Sequence, residues 1–203
     1  MISVILFIFL AVASFTFHEF AHGWMASRLG DPTPKNFQRL TLNPLAHIEL
    51  FGTIVLPLLI ILVSQGTLPP FGRAKPVPIN PAYFKNPKRD MMIVAASGPL
   101  SNIAVAISLI IILKIFGLKY LGFILPVIIL NFLLAIFNLL PIPPLDGSRV
   151  TAGLLPRNLY ISYRKIERFG LILVFAFCVI IFKTGVFSKL VLFLFASISR
   201  IFL

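Results

Sequence analysis

Residues 91–113 form an unbroken run of 23 residues without a charged side chain. As a helix this run rises about 35 Å, enough to cross the roughly 30 Å hydrocarbon core of a bilayer. Lipid offers no hydrogen-bond partners, so backbone at that depth has to be helical or closed on itself. Residues 120–140 are a second such run, and residues 2–29 form a third apolar run, interrupted before Arg28 only by His18, Glu19 and His22. The composition agrees: 59% of 203 residues are hydrophobic, 21 are Phe and only six are acidic. The expectation is an all-α integral membrane protein, a bundle of about five to six transmembrane helices. No polar stretch is long enough for a second unit, so one domain is expected over residues 1–203. Its core would be residues 2–155, with C-terminal helices at 168–203. A net charge of +12 could suggest nucleic acid. In a chain this apolar, however, basic loops face the cytoplasm and anionic headgroups, and no nucleic-acid partner is expected. Cys178 is the single cysteine and excludes both a disulfide and a cysteine-based zinc site. The N-terminus is as apolar as a signal peptide, but its first basic residue is Arg28, so a retained helix is expected.

The first apolar run carries His18-Glu19-Phe20-Ala21-His22. On a helix His18 and His22 stand one turn apart on one face. Two neutral imidazoles at that spacing can grip one zinc ion, and Glu19 beside them can deprotonate a zinc-bound water. Polar side chains at membrane depth are costly, roughly 2.5–3.5 kcal/mol for a charged one at mid-bilayer, and mark function. The competing reading, two histidines satisfied by hydrogen bonds inside a bundle, leaves Glu19 without a reason to be there. By helix rise His22 lies about 10 Å from residue 29, inside the membrane but nearer the exit side.

Gly30-Asp31-Pro32-Thr33-Pro34 ends the first helix, and Asn43-Pro44-Leu45-Ala46-His47 lies in the loop beyond. Residues 50–63 are 14 apolar residues with Gly52 and Pro57, too short for a full span. A re-entrant segment is therefore expected near residues 43–80, closing in an ordered Pro- and Gly-rich loop at 66–81. Residues 169–182 and 190–199 are two short apolar runs, either two spans or one span and a surface helix.

A catalytic zinc needs a third protein ligand and an open position. The candidates are Asp31, Glu49, Asp90, Asp146, Glu167 and His47. Asp31 falls beyond the membrane end of the first helix. Asp90 and Glu167 sit beside Arg89 and Arg168 at the mouths of spans, where solvated charge is expected. Asp146 follows an apolar helix directly, inside a Pro-rich unwinding of the kind tolerated where backbone lines a cavity. It is the preferred ligand, with capping or Asp-Gly turn chemistry as the alternative. Sharing one ion requires the first helix and the 120–140 helix to exit on the same side, so residues 50–63 must dip in and return. The basic residues agree: that arrangement puts 13 on the exit side against two on the other, whereas a spanning 50–63 gives ten against five. The N-terminus is expected outside, with the metal near the cytoplasmic face.

Three stretches resemble the signatures of the site-2 protease family, the intramembrane zinc metalloproteases: His18-Glu19-Phe20-Ala21-His22, Ser97-Gly98-Pro99-Leu100-Ser101-Asn102, and Asn138-Leu139-Leu140-Pro141-Ile142-Pro143-Pro144-Leu145-Asp146-Gly147. Asn43-Pro44-Leu45-Ala46-His47 and Gly72-Arg73-Ala74-Lys75-Pro76-Val77-Pro78 resemble its compact branch without PDZ or CBS domains. The resemblance implies one zinc per chain held by His18, His22 and Asp146, with Glu19 as general base. It also implies that Asn138 holds substrate or the developing oxyanion. The implied substrates are transmembrane segments of other proteins, cut within the cell membrane. His47 is expected to bond loop backbone rather than plug or ligate the metal, and Asn102 to support helix packing. The rival function is a metal transporter or sensor using the same ligands without hydrolysis. A transporter needs polar residues along a path, and residues 91–140 have few.

Overall fold

The computed structural model describes residues 2–55, 58, 62, 65 and 75–202. Among them the only regular secondary structure is helical, with no strand. The helices are α1 (Ile2–Arg28), α2 (Thr33–Asn36), α3 (Pro87–Phe116), α4 (Leu121–Asn138), α5 (Asp146–Leu154), α6 (Arg157–Ile166), α7 (Gly170–Lys183) and α8 (Val186–Ser199). Short 3-10 turns stand at Pro44–His47, Pro81–Tyr83, Leu118–Tyr120 and Glu167–Phe169.

α3 is the hub and packs against α1, α4 and α5. It begins with Pro87 in its first turn, where a missing N–H is harmless. Its two faces differ in a way that water would not permit. Leu100, Ile107, Ile111 and Ile115 form an exposed apolar stripe, while Ser97, Gly98 and Asn102 are buried against the other helices. Apolar outside and polar inside is the arrangement that lipid selects. α3 and α4 are each long and apolar enough to cross a membrane. α7 and α8, 14 residues each, meet at 71° across Gly185, whose φ is +70°. Each rises only about 21 Å, too short to cross alone, and Arg157–Lys183 with Val186–Ser199 has the length and apolarity of one broken span or of a re-entrant loop. The two C-terminal apolar runs are separate helices, as expected, and the Lys183-Thr184-Gly185 break ends one and starts the next.

α1 ends in a Schellman motif: Gly30 takes φ +104°, its N–H bonds Ser27 O, and the Asp31 N–H bonds Ala26 O. Asp31 is fully buried. Its carboxylate accepts from the N–H groups of Thr33 (2.9 Å) and Asn80 (2.7 Å), tying residues 75–80 to the end of α1. Asp90 also departs from expectation. It is buried, and it accepts from the Asn86 N–H at 2.9 Å to close the first turn of α3. Glu167 pairs with Arg164 at 2.9 Å on the surface. Of the expected re-entrant segment, Leu50–Val55 is a π-helical turn. Residues 75–80 carry no helix or strand. Most of residues 56–74 lies outside the described residues, including all of the 56–63 stretch but residues 58 and 62, and Gly72-Arg73-Ala74.

One apolar cluster lies where Ala106 and Leu113 of α3 meet Leu125 and Ile128 of α4 and Ile198 of α8, and a second packs Ala26 of α1 against Phe84 and Val94.

Candidate metal centre and general base

Three elements bring the site together. α1 presents His18 and His22 one turn apart, with ring centroids 4.7 Å apart and planes near perpendicular. Asp146 reaches them from the first turn of α5, where the positive end of the helix dipole favours a carboxylate. α3 supplies the space. A Cβ on Gly98 would overlap His22 Nε2 and lie 2.7 Å from His18 Nε2, so no residue but glycine admits both rings. Gly147 serves the bend in the same manner, since a Cβ there would strike the carbonyls of Leu139 and Leu140.

His18 Nε2, His22 Nε2 and Asp146 Oδ2 form a near-equilateral triangle with edges of 3.1, 3.1 and 3.2 Å. The outer nitrogens decide what that triangle is. His22 Nδ1 lies 2.8 Å from Val94 O, which can only accept, so Nδ1 carries the proton and the neutral ring keeps a lone pair on Nε2. His18 Nδ1 donates to Asn102 Oδ1 at 2.6 Å, leaving its Nε2 in the same state. Two imidazole lone pairs and a carboxylate oxygen thus converge with no hydrogen between them. That set repels itself without a cation. A tetrahedral zinc with bonds of about 2.0–2.1 Å places its ligands about 3.3–3.4 Å apart, so the residues present fit the ion.

Glu19, next to His18 on α1, is half-buried. Its Oε2 accepts from the Val77 N–H at 3.1 Å, which ties residues 75–80 to the helix that carries the histidines. Asn138 ends α4 and donates one amide hydrogen to Leu134 O at 2.9 Å. His47 is not in the cluster. It is buried, and its Nε2 lies 3.0 Å from Thr41 O, the loop-backbone bond expected of it.

Asn102, expected to support helix packing, also holds His18. Asn131 and Ser14 stand behind Asn102, with both asparagines fully buried. Asn131 in the middle of the apolar α4 was the available signal, because a polar side chain at that depth needs a partner. The contact of Val77 with Glu19 has no signal in the sequence, since it is made by backbone.

The family model of Peptidase family M50 matches residues 117–181, which include Asn138 and Asp146. The chain is 38% identical over 172 residues to YwhC of Bacillus subtilis (strain 168), named as a zinc metalloprotease, across 79% of this chain and 74% of YwhC. It is 32% identical over 147 residues to Rip2 of Mycolicibacterium smegmatis (strain ATCC 700084 / mc(2)155), also named as a zinc metalloprotease, across 66% of this chain and 51% of Rip2. No solved structure matches it significantly. At the identity and coverage of the first relative, what the motifs resembled becomes membership: the chain belongs to peptidase family M50, the site-2 protease family.

Proposed function

We propose that this integral membrane protein is a zinc endopeptidase that hydrolyses peptide bonds within transmembrane segments of other proteins. The observation that carries the reading is the convergence of two imidazole lone pairs and one carboxylate on a single point beside Glu19, within a bundle whose exterior is apolar. The zinc metalloprotease names of YwhC and Rip2 support the same chemistry. His18, His22 and Asp146 hold one zinc. When bound, zinc lowers the pKa of a water toward about 7 and polarises the carbonyl to be attacked. Glu19 takes the proton from that water and returns it to the leaving amine nitrogen. The Val77 N–H fixes the Glu19 carboxylate while it waits. Asn138 keeps one amide hydrogen beyond its bond to Leu134 O, and offers it to substrate or to the developing oxyanion. A helical substrate hides its carbonyls in hydrogen bonds, so it unwinds locally before it is cut. The distribution of basic residues supports a site near the cytoplasmic face of the cell membrane.

The transporter reading loses ground on one observation. Asn102, Asn131 and Ser14 are hydrogen-bonded to one another and do not line a path. Glu19→Gln is the test, with purified protein and a single-span substrate in detergent or vesicles. Zinc content stays at one per chain and cleavage falls by about 10²–10⁴-fold. Unchanged cleavage, or zinc flux through vesicles that survives the substitution, overturns the proposal.

A further inference from the structure

Behind the triangle lies a chain of side chains that the proposed chemistry does not use. Asn131 on α4, Asn102 on α3 and Ser14 on α1 join three helices and end on His18. Its direction can be read from its fixed ends. Val127 O and Ser14 O are carbonyls and only accept. Asn131 Nδ2 donates to Val127 O (2.9 Å) and to Ser14 Oγ (2.8 Å), whose own hydrogen goes to Leu10 O (2.9 Å). Both hydrogens of that amide nitrogen are then spent, and Asn131 must turn its oxygen toward Asn102. Asn102 answers with Nδ2, at 2.9 Å from Asn131 Oδ1 and 3.3 Å from Ser14 O. Its oxygen is therefore the atom that faces His18, at 2.6 Å from Nδ1. An acceptor there admits only a protonated Nδ1.

We infer that Asn102 and Asn131 are positioning residues for the metal centre: the polarity of their amide chain, set by α4 backbone, fixes His18 in the tautomer whose Nε2 lone pair faces Asp146. This rests on the zinc reading above. His22 gets the same result from Val94 O alone. The two ligands are thus held by different means, one by backbone and one by a side-chain relay across three helices. A histidine's second ring partner is typically worth 10–100-fold in metal affinity.

Two measurements test it on the full-length protein. The first is the ¹⁵N spectrum of histidine in the metal-free wild type, which should show His18 protonated on Nδ1. An Nε2-protonated His18 overturns the inference without any variant having to fold. The second is zinc affinity by chelator competition. Asn102→Leu matches the shape but accepts nothing, and should weaken zinc by 10–100-fold. Asn102→Asp keeps an acceptor at Nδ1 and should bind zinc more tightly than Asn102→Leu. Asn131→Leu should weaken zinc less than Asn102→Leu. A role in helix packing alone predicts the reverse order at 102, because Asp buries a charge among α1, α3 and α4, and that order overturns the inference. Wild-type protein that takes up no zinc overturns the zinc reading itself, which wild-type affinity with an insensitive Asn102→Leu does not.

Discussion

His18 and His22 on α1 contrast with His47 in the loop that follows. All three are buried and all three hydrogen-bond a neighbour. The pair on α1 spend their outer nitrogens, Nδ1, on Asn102 and Val94 O, so their Nε2 lone pairs converge with Asp146. His47 is wired the other way. Its Nε2 carries the hydrogen that goes to Thr41 O, and its Nδ1 is buried with no partner among the described residues. No carboxylate joins it in a metal-binding group there. A buried histidine therefore reads as a ligand when its outer nitrogen is satisfied by a fixed acceptor and its inner one is aimed at other lone pairs. Burial alone does not distinguish the two cases.

The largest effect that would break this contrast is removal of a triangle member. Outer partners of a ligand are typically worth 10–100-fold, so His22→Ala should weaken zinc by more than about 100-fold and abolish cleavage. Metal analysis of the purified variant checks it. Gly98→Ala comes next, because the new methyl falls on the imidazoles themselves. Overpacking of this kind costs about 1–3 kcal/mol. Here the rings must move to relieve it, so zinc affinity and thermal stability should fall together. Asp31→Ala should separate the two. It orphans the buried N–H groups of Thr33 and Asn80, at about 1–3 kcal/mol each if they stay dry. It also unties residues 75–80 from α1. Unfolding in detergent should shift down and cleavage should fall, since Val77 rides on that segment over Glu19, while zinc uptake stays near wild type.

How much of this could be read from the sequence depends on which atoms make each contact. The helices at residues 91–113 and 120–140 were legible because lipid leaves an apolar run one solution, and α3 and α4 follow them closely. The convergence of Asp146 with His18 and His22 was legible because a polar group at depth needs partners, and few were available. Asp90 was misjudged because proximity to Arg89 in sequence suggested solvent, whereas its carboxylate folds back on the Asn86 N–H. The break between the two C-terminal apolar runs was legible from Lys183 and Lys189, whereas the 71° bend was not, because composition looks alike whether two helices are collinear or bent. Backbone contacts carry no residue label, so the Val77 N–H on Glu19 and Val94 O on His22 were beyond any motif.

The smallest predicted effect is the sharpest test of the contrast, because it asks a histidine to be dispensable. His47→Leu removes one hydrogen bond, worth about 0.5–1.5 kcal/mol net. It also removes the unpaired Nδ1, a buried polar atom of a kind that costs about 1–3 kcal/mol when unsatisfied. The terms oppose each other. Thr41 is half-exposed, so its carbonyl can take water once the ring is gone. Stability should stay within about 1 kcal/mol of wild type. Zinc affinity should not move, since neither His47 nitrogen joins the triangle. A tenfold loss of zinc in His47→Leu, with thermal stability unchanged, would mean that the loop histidine reaches the metal in the working enzyme, and the distinction drawn from ring wiring would fail.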